Sequence, residues 1–191
     1  MTTDYPIGPY PMGLASLQRE AAKGRKLPPV ESWNPAHCGE SDMRIARDGT
    51  WYHQGSPIGR KELVRLFSTI LRKDADGYHL VTPAEKMRIT VDDAPFLAVL
   101  MDVEGQGKEQ TLRFTTSVGD EVTASAENPI RVETDPHTRE PAPYVHIRKG
   151  LEARIARTPF YQMADIAVAD VSGEQLGVWS SGTFFPIGRA E

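Results

Sequence analysis

The sequence predicts an α+β protein made of two units, not a parallel α/β sheet. Three observations predict it. "MRIARDGTWYHQG" alternates around Asp48-Gly49, the pattern of a β-hairpin. Leu63, Val64, Phe67, Ile70 and Leu71 then form one apolar stripe at helical spacing. From Lys86 onward short β runs follow one another, and no strand–helix–strand series alternates along the chain.

Residues 1–30 carry Pro6, Pro9, Pro11, Pro28 and Pro29 with Gly8, Gly13 and Gly24, which predicts a partly mobile arm. Only "LASLQREAAKGRK" within it has room for two helical turns. Order begins near "ESWNPAHCGESDMRI", and the hairpin follows with Asp48-Gly49 as a two-residue turn. In the helix Gly59 is placed to cap. Ile58 and Leu63 then sit at hydrophobic-staple positions, and Glu62 takes the third helical position of a capping box. After the turn "RKDADG", the segment "YHLVTP" reads as a short strand. Residues 31–84 therefore form an N-terminal unit of hairpin, helix and strand.

Residues 85–191 form the second unit. "MRITV", "FLAVLMDVEG", "TLRFTTSV", "DEVTASA", "PIRVETD" and "YVHIRKG" predict a curled antiparallel sheet or small barrel. "GLEARIARTPFYQMADIAV" reads as helical, kinked or restarted at Thr158-Pro159. "GEQLGVWSSGTFFPIG" predicts a final hairpin. Arg148 and Lys149 precede the second helical segment much as Arg60 and Lys61 open the first, a short internal echo of the kind duplication leaves.

Composition narrows the function classes. The 191 residues are 39% hydrophobic and 25% charged, with a net charge of −4 and a pI near 5.8. That balance speaks against nucleic-acid or anionic-membrane binding over a broad surface, so any anion site must be a local cluster. No apolar run approaches the roughly 20 residues that cross a bilayer, and "MTTDYPIGPYPMGL" lacks a secretory pattern, so a cytoplasmic protein is expected. Cys38 is the one cysteine, which rules out an internal disulfide.

Arg60 and Lys61 are unusual at the start of a helix, where the macrodipole favours acidic side chains. They could be a solvated face. They could instead join the free N–H groups of the first turn, with Arg65 one turn on and Arg44, Arg47 and Arg88 on neighbouring strands, to hold an anion such as phosphate. No P-loop or dinucleotide fingerprint is present, and "VEGQGKEQ" reads as a hairpin connection. His37, His53, His79, His137 and His146 share no metal-ligand spacing with one another or with Cys38, so no metal and no cofactor are expected. Nothing identifies a base for Cys38 as a nucleophile, and no catalytic residue is assigned. Asp92-Asp93 more simply caps a turn than binds a hard cation. Trp51, Tyr52, Tyr78, Trp179, Phe184 and Phe185 suit packing, or a stacking platform beside the cations.

Several of these residues carry a family resemblance. Asp48-Gly49-Thr50-Trp51, Gly55 with Pro57-Ile58-Gly59-Arg60, Leu80-Val81-Thr82-Pro83 with Glu85-Lys86, and Gly177-Val178-Trp179-Ser180 resemble the bacterial family known as domain of unknown function 1285. The match covers nearly everything after the arm. The resemblance implies two structurally similar α+β lobes, the C-terminal one a pleckstrin-homology-like antiparallel barrel capped by a helix. It also implies a cleft between the lobes suited to a nucleotide-like molecule, a signalling role, and no established catalytic residues.

The resulting expectation is a non-enzymatic binding module for a small anionic, nucleotide-like ligand. Arg60, Lys61 and Arg65 would contact phosphate, and Trp51 or Tyr78 would stack on a planar group. Glu85, Lys86 and Arg88 would line the junction of the lobes, with Arg154 and Arg157 closing the site. A protein–protein adaptor binding a peptide on the barrel-like lobe ranks second, and an enzyme built on Cys38 third.

Overall fold

The computed structural model describes residues 27–136 and 138–189, so almost all of the expected arm over residues 1–30 lies outside the described residues. The chain forms two compact units: one of residues up to Ile45 with Thr50–Thr90, the other of Ala46–Gly49 with Val91 onward. The boundary falls after Thr90, not after residue 84, because the segment from Glu85 completes the first unit's sheet. Among the described residues no helix is long and apolar enough to cross a membrane.

The N-terminal unit runs β1 (His37–Ile45), β2 (Trp51–His53), β3 (Ser56–Pro57), α1 (Lys61–Thr69), β4 (Leu71–Asp74), β5 (Gly77–Val81) and β6 (Glu85–Val91). These strands form one sheet in the order β3-β2-β1-β6-β5-β4. The expected hairpin is β1–β2, but Ile45 pairs with Trp51, so a five-residue loop replaces the two-residue turn. Gly49 closes that loop at φ 82°, a backbone region that costs a side-chain-bearing residue far more than glycine.

Helix α1 starts one residue later than expected. Arg60 is its N-cap, in an extended conformation and without a side-chain capping bond, and Leu71 belongs to β4. Of the expected stripe Phe67, Ile70 and Leu71 are buried and Leu63 and Val64 half-buried, Leu66 outside it is buried too, and Phe67 stacks on Trp51 with ring centroids 6.2 Å apart. Strand alternation then divides the sheet. Met43, Ile45, Trp51, Leu80, Met87 and Ile89 share the face that α1 covers. Arg72, His79 and Arg88 lie in one row across β4, β5 and β6 on the opposite face.

The C-terminal unit runs β7 (Phe96–Glu104), β8 (Thr111–Thr116), β9 (Glu121–Thr123), β10 (Ile130–Thr134), β11 (Pro141–Arg148), β12 (Leu151–Ile155), α2 (Arg157–Asp165), β13 (Val168–Ala169), β14 (Gln175–Ser180) and β15 (Thr183–Arg189). Its main sheet is ordered β10-β11-β12-β7-β8-β9, with β13-β14-β15 as a separate three-stranded sheet. "LEARI", expected to be helical, is strand β12. Leu151, Ala153 and Ile155 are buried while Glu152 and Arg154 are half-buried, a period of two that belongs to a sheet. Strand β12 pairs parallel with β7, so the sheet is not wholly antiparallel. Pro159 falls in the first turn of α2, where its missing N–H costs nothing. The "VEGQGKEQ" segment is the β7–β8 connection.

Both six-stranded sheets have the same design. Each consists of two three-stranded meanders joined through that sheet's first and last strands in chain order. The helix is placed differently: α1 lies between the two meanders, and α2 follows the second. The described residues are thus mostly β with two α-helices, in two similar units.

A buried polar network ties the C-terminal unit together. Tyr144 donates its hydroxyl to Asp93 Oδ1 at 2.7 Å, and Arg154 donates to Asp93 Oδ2 at 2.6 Å. Arg131 lies over the Tyr144 ring at 4.3 Å and forms a two-pronged pair with Glu152. Burial, reinforced by the bond to Asp93, pushes the Tyr144 hydroxyl up to about 12. An unfolded tyrosine ionises near ~10. The neutral native phenol therefore contributes stability that is complete below about pH 10 and is lost as pH rises toward about 12. Denaturant titrations across that range should show this loss, and Tyr144→Phe should remove it. An unchanged pH profile in the variant would refute the assignment.

Candidate functional site

The outward face of the N-terminal sheet is where chemistry gathers. Arg72 on β4 is buried yet charged, and its guanidinium is fully engaged. Nε and Nη2 donate to the two oxygens of Asp74 at 2.8 and 2.9 Å, and Nη1 donates to the Val30 and Trp33 carbonyls, both at 2.9 Å. Lys86 Nζ on β6 adds a third bond to Asp74 at 3.0 Å. These partners, led by Arg72, hold the Asp74 carboxyl below the usual carboxylate range.

His79 lies beside this pair, 2% exposed. Its Nδ1 is 3.7 Å from Asp74 and its Nε2 is 3.5 Å from Asp76, which projects from the β4–β5 turn. Nδ1 is buried and makes no hydrogen bond among the described residues. Burial pushes the imidazole down, so it is neutral at pH 7. One ring nitrogen and one oxygen from each of Asp74 and Asp76 lie within 4.8 Å of one another.

The cluster opens into a depression of about 380 Å³ lined by Cys38, Gly39, Glu40, Asp76, His79, Lys86 and Arg88. Arg88 is exposed at its rim and has no ion-pair partner among the described residues. A second depression of about 460 Å³ involves Asp42, Arg44, Tyr52, Gln54 and Thr90, with Arg44 stacked on Tyr52 at 5.8 Å.

The residues expected from the sequence are dispersed. Lys86 and Arg88 share the depression. Arg60, Lys61 and Arg65 are exposed on α1, which packs on the other face of the sheet, so they do not join Lys86 and Arg88 in one site. Trp51 is 2% exposed against Phe67 and has no ring face left for a ligand. Tyr78 stands on the helix side with the Lys73 ammonium 5.4 Å above its ring. Glu85 alternates with Lys86, so its side chain turns away from the depression, and its Oε1 is buried without a hydrogen bond among the described residues. In the other unit Arg154 is held by Asp93 and Tyr144, whereas Arg157 is exposed with Glu140 3.8 Å away. Asp93 is likewise engaged there, not poised for a cation.

Asp74 and Asp76 lie outside the histidine, cysteine and Asp92-Asp93 positions that the sequence singles out as possible metal ligands. The available signal was "DADGYH": across a tight hairpin, Asp74 and His79 return to adjacent strands.

Comparison with known proteins agrees with the architecture. The N-terminal domain family described as "Domain of unknown function (DUF1285), N-terminal domain" matches residues 28–94. "Protein of unknown function (DUF1285), C-terminal domain" matches residues 95–187. No curated protein sequence matches. A crystal structure of a DUF1285 family protein from Silicibacter pomeroyi DSS-3 is 52% identical, with a TM-score of 0.83 over 91% of this chain and 94% of that one. Another, from Shewanella baltica OS155, is 25% identical with a TM-score of 0.51, covering 70% of this chain and 96% of that one. With two matched domains in sequence and a close relative across nearly its full length, the chain belongs to the DUF1285 family.

Proposed function

We propose that this protein is a binding module for a small phosphate-bearing ligand, nucleotide-like in size, with a signalling role, and that the ligand seats in the depression on the N-terminal sheet. The observation that carries the reading is Arg88, an exposed guanidinium without a partner among the described residues, at the rim of a concave surface that Lys86 and His79 also line. A guanidinium presents paired donors that match phosphate oxygens. The neutral imidazole supplies one further hydrogen bond for orientation. Glu40 and Asp76 on the same wall disfavour a highly charged anion and favour one carrying donors of its own, such as ribose hydroxyls. The C-terminal unit, with a curled sheet followed by a helix, we read as pleckstrin-homology-like.

Calorimetric titration with inorganic phosphate, nucleoside monophosphates and cyclic dinucleotides tests this. Saturable binding is expected for at least one, weakened about tenfold or more in Arg88→Ala, on the scale of one charge-assisted hydrogen bond. Arg60→Ala should bind like the wild type, because Arg60 belongs to the opposite face. Flat titrations throughout would overturn the reading. They would leave a peptide adaptor, which is favoured by Val168, Val171 and Leu176, all exposed on or beside the three-stranded sheet.

A further inference from the structure

We infer that Asp74, Asp76 and His79 form a binding site for a zinc-like divalent transition-metal ion. The inference rests on the three side chains alone and holds whether or not a phosphate-bearing ligand uses the same depression.

Three features converge. The ligand atoms lie close enough for one ion. One ring nitrogen of His79 and one oxygen from each of Asp74 and Asp76 lie within 4.8 Å of one another, and tetrahedral zinc with bonds of ~2.0–2.2 Å sets its donors about 3.3–3.6 Å apart, so small side-chain shifts close the set on one ion. The donor set is selective. A neutral imidazole with two carboxylates suits zinc, cobalt or nickel, whereas calcium takes ~6–8 oxygens and magnesium a near-octahedral oxygen shell. The buried nitrogen is also unexplained without a ligand. A ring nitrogen at 2% residue exposure that makes no hydrogen bond is costly to leave bare, and a metal ion is one of the few partners that would satisfy it.

The surrounding charges say how the site would work. Lys86 already holds Asp74 Oδ2 at 3.0 Å, so its ammonium competes with the metal for that oxygen. Arg72 holds both Asp74 oxygens, sharing Oδ2 with Lys86, and keeps the carboxylate ionised and oriented. Entry of a divalent ion therefore displaces Lys86 from Asp74 toward the depression. Asp76, exposed on the turn, completes the set. Three protein ligands leave the fourth position open to water or an incoming donor.

Zinc titrated into chelator-stripped full-length protein in phosphate-free buffer tests the assignment. Binding of one ion per chain is expected by calorimetry and by metal analysis after gel filtration. Asp76→Asn, on an exposed turn where folding is not at risk, should weaken it tenfold or more. His79→Gln should abolish it if that variant folds. Lys86→Met should tighten zinc several-fold while weakening any phosphate ligand, a reversal that a general loss of structure could not produce. Cys38→Ser should leave zinc affinity unchanged. Absent zinc binding, or binding retained in Asp76→Asn and lost in Cys38→Ser, would overturn the proposal. Because no phosphate is present, a negative result here bears on the metal site alone.

Discussion

Replacing Arg72 with methionine should destabilise the N-terminal unit by about 3–5 kcal/mol, the cost of breaking a buried ion pair from one side. The physical reason is the number of groups left behind. Asp74 would keep only Lys86, and the Val30 and Trp33 carbonyls would lose the Arg72 donor. The Arg72 side chain is 8% exposed, so water cannot replace it without opening the sheet edge. For a unit of this size the transition should fall by on the order of 15 °C. A partner substitution sharpens the test. Asp74→Asn removes one side of the same pair, so the double variant should cost clearly less than the sum of the singles. Single variants that each stay within ~0.5 kcal/mol of the wild type would show that the network is not structural.

Gly177→Ala should damage the C-terminal unit through sterics rather than charge. A β-carbon at this position would stand 2.4 Å from the Phe185 carbonyl oxygen and 2.5 Å from the Phe184 ring. The ring could swing only by leaving Trp179, against which it packs edge-on at 5.3 Å. The carbonyl belongs to the backbone of β15, which bulges opposite Gly177 and cannot move without loosening the β14–β15 ladder. Overpacking of this kind costs about 1–3 kcal/mol, and more where backbone must shift. Gly188→Ala is the control. Its β-carbon would meet nothing within 4 Å, so its stability should be unaltered. Equal thermal midpoints for the two variants would contradict the argument.

Local pattern carried most of the element reading. The Asp48-Gly49 hairpin, the stripe of α1, the short strands after Lys86 and the closing hairpin are all present, because each is a repeat of burial along a few residues. The errors fell where two periods compete. "LEARI" contains good helix formers, yet Leu151, Ala153 and Ile155 alternate inward, and a place between β11 and β7 overrode the propensity. The units divide after Thr90 and not after residue 84 because pairing with β5 assigns β6 to the first sheet.

The candidate site was far less legible. Arg60, Lys61, Lys86 and Arg88 are equally cationic on paper, and only the sheet decides that they belong to different faces. His79 carries no metal spacing with the other histidines, and its partners Asp74 and Asp76 resemble ordinary turn residues until the hairpin folds them back. The arrangement of side chains around an imidazole is a long-range property, fixed by strand register and burial, and a linear string does not contain distances.

By itself, then, the amino-acid order determined the two-unit α+β plan, its strand-rich second half and its family membership, since these depend on periodicity and short motifs. Tertiary structure alone decided which cations are spent on internal carboxylates, which tryptophan is sealed in the core, and where a buried imidazole meets two acidic groups. The reason is geometric: the free energy of a charge or a polar atom depends on what surrounds it in three dimensions, and residues distant in the chain supply those surroundings.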